Sequence, residues 1–148
     1  MARKKKPTHR SFESNNEHGR FAKITIDMMN SPAWRALSVY EVAFYLAIKS
    51  KYKGVNKSGQ DNSRDLSFTH AEGQLLMSKA RFIKAIDRLI ATGFIDLIEH
   101  FPQSRRPTIY GLSDRWRDYG KPEFKEQARV KSRCPYKGGA RPKERFLT

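Results

Sequence analysis

Hydrophobic positions recur every three or four residues through two stretches of the chain and then switch to alternation, and that switch outlines a fold. The clearest stretch is Thr69 to Gly93, THAEGQLLMSKARFIKAIDRLIATG. Thr69 and Glu72 have capping-box spacing, in which each side chain satisfies the other's backbone amide. Ala71, Leu75 and Leu76 are expected to form a short buried stripe behind that cap. Met77 and Ser78 interrupt the period, and Ser78 is the expected N-cap of a second, longer helix. In it Phe82, Ile83, Ile86, Leu89 and Ile90 share one face, with Lys79, Arg81, Lys84 and Arg88 off it. Gly93 is placed to end the helix in a left-handed cap.

Upstream, FAKITI (Phe21–Ile26) alternates apolar and polar residues and predicts a strand. Ser31 followed by Pro32 predicts a helix start, with Trp34 and Leu37 as core anchors. Ser38 and Glu41 repeat the capping-box spacing. Val39, Val42, Ala43 and Leu46 follow at helical intervals, and Phe44, Tyr45 and Ile48 widen the stripe, so this helix is expected to be buried on more than one side. Lys49 to Asp65 is rich in glycine, serine, asparagine and charge, and reads as a long basic loop of the functional or mobile kind. Leu66 to Phe68 predicts a very short strand.

After Gly93 the period becomes strand-like. Phe94, Ile95, Leu97 and Ile98, then Thr108 to Leu112, predict two strands joined by the turn-rich PQSRRP, with Arg105 and Arg106 at its tip. SDRWRDYG (Ser113–Gly120) predicts a capped helical turn with Ser113 as N-cap, on which Trp116 and Tyr119 dock. Helix, corner, basic helix, glycine and hairpin, in that order, predict a winged helix-turn-helix. The expected fold class is therefore mainly α with a small β wing (α+β). Residues 1–20 are expected as a basic disordered arm, 21–120 as the winged-helix domain and 121–148 as a basic C-terminal tail.

Charge sharpens this picture. The 148 residues carry 30 Lys and Arg against 15 Asp and Glu, a net +15. Such an excess favours a polyanionic partner, because each neutralised phosphate releases condensed counterions. Arms and tail hold two thirds of it: residues 1–20 are net +4, including Arg3, Lys4, Lys5 and Lys6, and residues 125–148 are net +6. Double-stranded DNA is the expected partner, with RNA as the alternative. A membrane is not expected, since no apolar run approaches the roughly 20 residues of a spanning helix. The start, MARKKKPTHRSF, lacks the apolar segment of a signal peptide. Cys134 is the only cysteine, which excludes an internal disulfide and fits a reducing cytoplasm, the expected nucleoid-associated location.

Chemistry other than binding is not expected. His9, His18, His70 and His100 lack metal-ligand spacing, and there is no glycine-rich phosphate loop, HExxH or nucleophile elbow. No cofactor, metal or catalytic residue is anticipated. Asp61, Asp65, Asp87, Asp96 and Glu99 could be imagined as nuclease carboxylates, but Asp87 and Asp96 read more economically as a helix-surface and a strand-exposed charge. The bland reading of the second helix is a solvated amphipathic helix, and that of the basic arm is a solubility tail. The sharper reading assigns Lys79, Arg81 and Lys84 to base edges or nearby phosphates in the major groove, Ser78 and Arg88 to phosphate, and Arg105 and Arg106 to the adjacent backbone or minor groove. Arg3, Lys4, Lys5 and Lys6 would lie along phosphates or in a minor groove. The alternative from another class is a structural component of an RNA-containing nucleoprotein that works through its basic arms.

Four features carry a resemblance to a family: the F-x-K-I opening at Phe21, the Leu37-Ser38 helix start, the F-T-x-x-E of Phe68 to Glu72, and the L-x-x-x-G-F-I of Leu89 to Ile95. Over roughly Phe21 to Leu112 the chain resembles the N-terminal winged helix of plasmid and phage replication initiators of the RepA type, and related helix-turn-helix proteins of bacterial mobile elements. The resemblance implies double-stranded DNA binding, often by dimers at repeated sites, with the contacts falling on Ser78, Lys79, Arg81 and Lys84. The chain departs from a complete initiator in having a short basic extension where a further domain is expected. Plain DNA binding, in transcriptional control or replication of a mobile element or phage, is the resulting expectation.

Overall fold

In the computed structural model residues 21–101 and 106–129 are described. Their helices are α1 (Ile26–Asn30), α2 (Pro32–Arg35), α3 (Val39–Ser50), α4 (His70–Leu76) and α5 (Lys79–Thr92), followed late in the chain by a 3₁₀ turn (Arg115–Asp118). Strands β1 (Leu66–Phe68), β2 (Ile95–Glu99) and β3 (Thr108–Leu112) form one antiparallel sheet in the order β1-β3-β2. Helices packed against a small antiparallel sheet make an α+β fold.

The first stretch departs from expectation. Residues 21–25 form no strand, and Ile26 belongs to a helix. The Thr25 hydroxyl accepts from the Met28 amide at 3.3 Å, and Asp27 lies in the first turn, where the helix dipole favours a carboxylate. Six alternating residues fit either state, and here the local cap decides. Ser31 caps α2 as its sequence suggests, accepting from the Trp34 amide at 3.2 Å with Pro32 in the first turn.

Helix α3 starts at the expected Ser38–Glu41 capping box. Its buried face, however, is Phe44, Tyr45 and Ile48, while Val39 is 81% and Leu46 41% exposed. Both stripes are apolar, and the aromatic one wins because it removes more area from water. Phe44 meets Phe68, Phe82 and Tyr110 edge-on at 4.9, 5.0 and 6.2 Å between centroids. Burial raises the Tyr110 phenol to about 12, with Arg129 pulling the other way.

The Thr69–Glu72 capping box forms as read, with Thr69 Oγ1 accepting at 3.2 Å and its amide donating at 2.7 Å. The expected stripe behind it does not bury. Leu75 is 87% exposed, Leu76 and Ala71 face solvent, and the buried positions are Gly73 and Met77. A Cβ on Gly73 would lie 2.5 Å from the Phe82 ring, so α4 presses its backbone onto α5 at a place where only glycine fits. Close approach replaces the side-chain stripe.

Helix α5 follows most of the pattern: Phe82, Ile86, Leu89 and Ile90 are buried, Ile83 at the margin of that face is only half-buried, Ala85 is buried in addition, and Gly93 ends the helix at φ 88°. The hairpin β2–β3 pairs Ile95 with Leu112 and Leu97 with Tyr110, with a register shift between Leu97 and Glu99 that leaves Ile98 on the outside. Strand β1 adds to the far edge of β3, Leu66 opposite Tyr110. The turn after β3 is 3₁₀ with Asp114, not Ser113, at its N-cap. Trp116 stacks on Phe94 at 5.9 Å, and Tyr119 packs against the same core.

Loop 51–65 is laced by hydrogen bonds. Asn62 bridges the Lys51 carbonyl and the Lys53 amide, and Asp61 accepts from Tyr52 and Ser63. Residues 121–129 run back over the domain, with Phe124 edge-on to Tyr119 at 5.4 Å.

Candidate nucleic-acid interface

Two residues, Met77 and Ser78, form the corner between α4 and α5. Both are extended, and Met77 plugs the core while its amide donates to the Gly73 carbonyl at 3.0 Å. Ser78 takes the N-cap position of α5, but its hydroxyl makes no capping bond and the residue is exposed. The N-terminal end of α5 therefore reaches solvent with its first backbone amides uncovered by a side-chain cap, an arrangement that suits an anion.

Lys79, Arg81, Lys84 and Arg88 are all exposed. At about 100° per residue they do not form a single row. Lys84 points directly away from the buried face, with Ala80 beside it. Arg81 and Arg88, seven residues apart, share one flank, and Lys79 starts the other. Both arginines of the first flank lean on the α2–α3 junction. Arg88 donates to the Ala36 carbonyl at 3.4 Å, and the Arg81 guanidinium sits 4.3 Å from the Tyr40 ring centroid. Lys79 and Lys84 make no ion pair or hydrogen bond with the described residues.

The only carboxylate on α5, Asp87, is answered by Arg129 at 2.7 Å. This pairing cancels the one negative charge that would otherwise sit beside Lys84. The hairpin follows immediately. Arg106, at its described margin, is exposed and lies over the Phe101 ring at 4.6 Å. His100 shares a 3.2 Å hydrogen bond with Thr108 across the hairpin, and burial first, then Arg129 and His70, hold its pKa below the ordinary value. Arg105 and the basic run Arg3, Lys4, Lys5 and Lys6 lie outside the described residues.

Several charged residues turn out to be braces. Asp96 is not the exposed strand charge it reads as: its side chain is 14% exposed, and it binds Arg64 at 2.8 Å and Arg115 at 2.7 Å. Arg115 also donates to the carbonyls of Ile90, Ile95 and Lys125. One sequence signal existed for this network. Gly111 stands opposite Asp96 within a strand, and a Cβ there would come within 2.9 Å of the Arg64 guanidinium that crosses it. Lys51 is likewise tied to Glu72 and to the Ser67 carbonyl. Partial burial opposes ionisation of Glu72, but the bonds from Lys51 and Thr69 outweigh it and leave the carboxyl below its ordinary pKa.

A cleft of about 740 Å³ opens between the 21–25 segment, Lys49 and Trp116, and it contains none of the candidate cations of α5 or the hairpin. Burial lowers the pKa of Lys49 at its wall, with Asp114 acting in the opposite sense. Among the described residues no helix is long and apolar enough to cross a membrane. No family model matches the chain, and neither the curated proteins nor the solved structures compared with it give a match.

Proposed function

We propose that the chain is a winged-helix protein that binds double-stranded DNA with sequence selectivity, in transcriptional control or replication of a mobile element or phage. The observation that carries the reading is the N-terminal half of α5, where Lys79, Arg81 and Lys84 are exposed without a carboxylate partner among the described residues while another face of the helix is buried. A helix held this way can enter a major groove with its N-terminal turns leading. Arg81 would make the bidentate contact to guanine, Lys79 and Lys84 would meet bases or phosphates, and Ser78 and Arg88 would meet phosphate.

The order of elements supports the same reading. The β2–β3 hairpin follows α5 directly and carries Arg106, which would reach the neighbouring backbone or minor groove together with Arg105. The net +10 of residues 1–20 and 125–148 would supply hold without choice of sequence. The same charge distribution favours one second reading, a nucleoprotein component that grips RNA through its arms. The mobile-element role rests on the family resemblance alone.

Selection from random duplexes with the full chain tests the reading. A recovered consensus should be bound at least a hundredfold more tightly than a scrambled duplex, given the roughly 10³–10⁷ range of specific over non-specific binding. Equal affinity for every duplex, with binding destroyed by deleting the arms, would instead favour the RNA-type component.

A further inference from the structure

Arg81 and Tyr40 are 41 residues apart in the chain and belong to different helices, yet the guanidinium lies 4.3 Å from the ring centroid. Tyr40 is the second residue of α3 and 38% exposed; Arg81 is the third residue of α5. No hydrogen bond or ion pair with the described residues competes for that guanidinium. A cation over an aromatic face is held through the ring quadrupole, and that attraction uses none of the carbonyl or carboxylate acceptors that would occupy its N–H groups. The neighbouring cations differ. Arg88 is directed to a backbone carbonyl, while Lys84 and Lys79 carry rotatable point charges with no ring beneath them among the described residues.

We infer that Tyr40 is a positioning residue that fixes Arg81 as the base-reading arginine, so that the sequence choice made by α5 is set in part from α3. The inference rests on the duplex-binding reading above and sharpens it: the position read by Arg81 is a guanine, recognised by a guanidinium that the ring holds in place. A purely structural contact between the two side chains would contribute to folding and leave base preference alone.

The test uses the full chain and the duplex recovered from random selection, with a panel in which each base pair is changed in turn. Tyr40→Phe keeps the ring and should bind within about twofold of the unaltered chain. Tyr40→Ala should lose roughly three- to tenfold on the selected duplex, lose nothing on a scrambled one, and flatten discrimination at the same guanine that Arg81→Ala flattens. Combining the two should add nothing to Arg81→Ala. Tyr40→Leu, which keeps apolar bulk without the quadrupole, should match the alanine variant and serves if that variant folds poorly. Full discrimination at that guanine in Tyr40→Ala and Tyr40→Leu, while Arg81→Ala loses it, overturns the inference and leaves duplex binding standing. An unaltered chain that selects no sequence overturns both.

Discussion

At its N-terminal end α5 presents Lys79, Arg81 and Lys84 to solvent with no carboxylate among the described residues to answer them, whereas near its C-terminal end Arg115 is enclosed by Asp96 and the carbonyls of Ile90 and Ile95. Residues of the same type thus do opposite work at the two ends. Around Gly93 a cation is partly desolvated, and each of its guanidinium nitrogens finds an acceptor, so its charge serves the fold. Around Ser78 the charge is left solvated, which contributes little to stability and keeps it available to a partner. Mutations at the two ends should therefore separate, one set acting on folding and the other on recognition.

The largest effect should come from Gly93→Ala. Its φ is 88°, and the added Cβ would meet the Trp116 amide at 2.7 Å and the Arg115 carbonyl carbon at 2.8 Å. Left-handed strain and the clash together should cost about 3 kcal/mol in urea denaturation, with the ratio of affinities for selected and scrambled duplexes unchanged while the protein is folded. Asp96→Asn should follow at about 2–3 kcal/mol, since it leaves Arg115 and Arg64 facing a neutral amide. A loss of sequence choice in either variant without unfolding would break the separation.

At the other end, Arg81→Ala should leave stability within about 0.5 kcal/mol and cost about 1–3 kcal/mol of binding to the selected duplex alone. Lys84→Ala should weaken all duplexes alike and lower the slope of affinity against salt by about one. The smallest effect concerns pH. Because His100 has a folded-state pKa below its ordinary 6.5, the unfolded chain takes up the proton more readily. Its contribution is present in full above pH 6.5 and is lost as pH falls through the folded value. The stability difference between the unaltered chain and His100→Gln should accordingly shrink below pH 6.5, as thermal melts at stepped pH would record.

What the sequence made legible was local. The capping boxes at Ser38–Glu41 and Thr69–Glu72, the Ser31–Pro32 start and the Gly93 stop are each written within four residues, and each forms. The hairpin strands were readable because alternation and a turn-rich connection coincide. Three of the features that departed from the reading lacked local information. FAKITI is too short for its alternation to outvote the Thr25 cap. In α3 two apolar stripes compete, and the choice of Phe44, Tyr45 and Ile48 is made by rings that arrive from β1, α5 and β3. In α4 Leu75 and Leu76 have the right character, but the tight approach of Gly73 to Phe82 turns them outward. Within the candidate site, exposure of the α5 cations followed directly from the helical period. Their division into flanks, the support of Arg81 by Tyr40 and the pairing of Asp87 with Arg129 depend on contacts across 41 or 42 residues that no spacing records.

The central claim is tested most directly by charge-reversing Lys79, Arg81 and Lys84 together and measuring the ratio of affinities for the selected and scrambled duplexes. The separation of the two ends predicts a ratio falling to about one in a protein that still unfolds at the urea midpoint of the unaltered chain. A ratio that stays at its original value would contradict it.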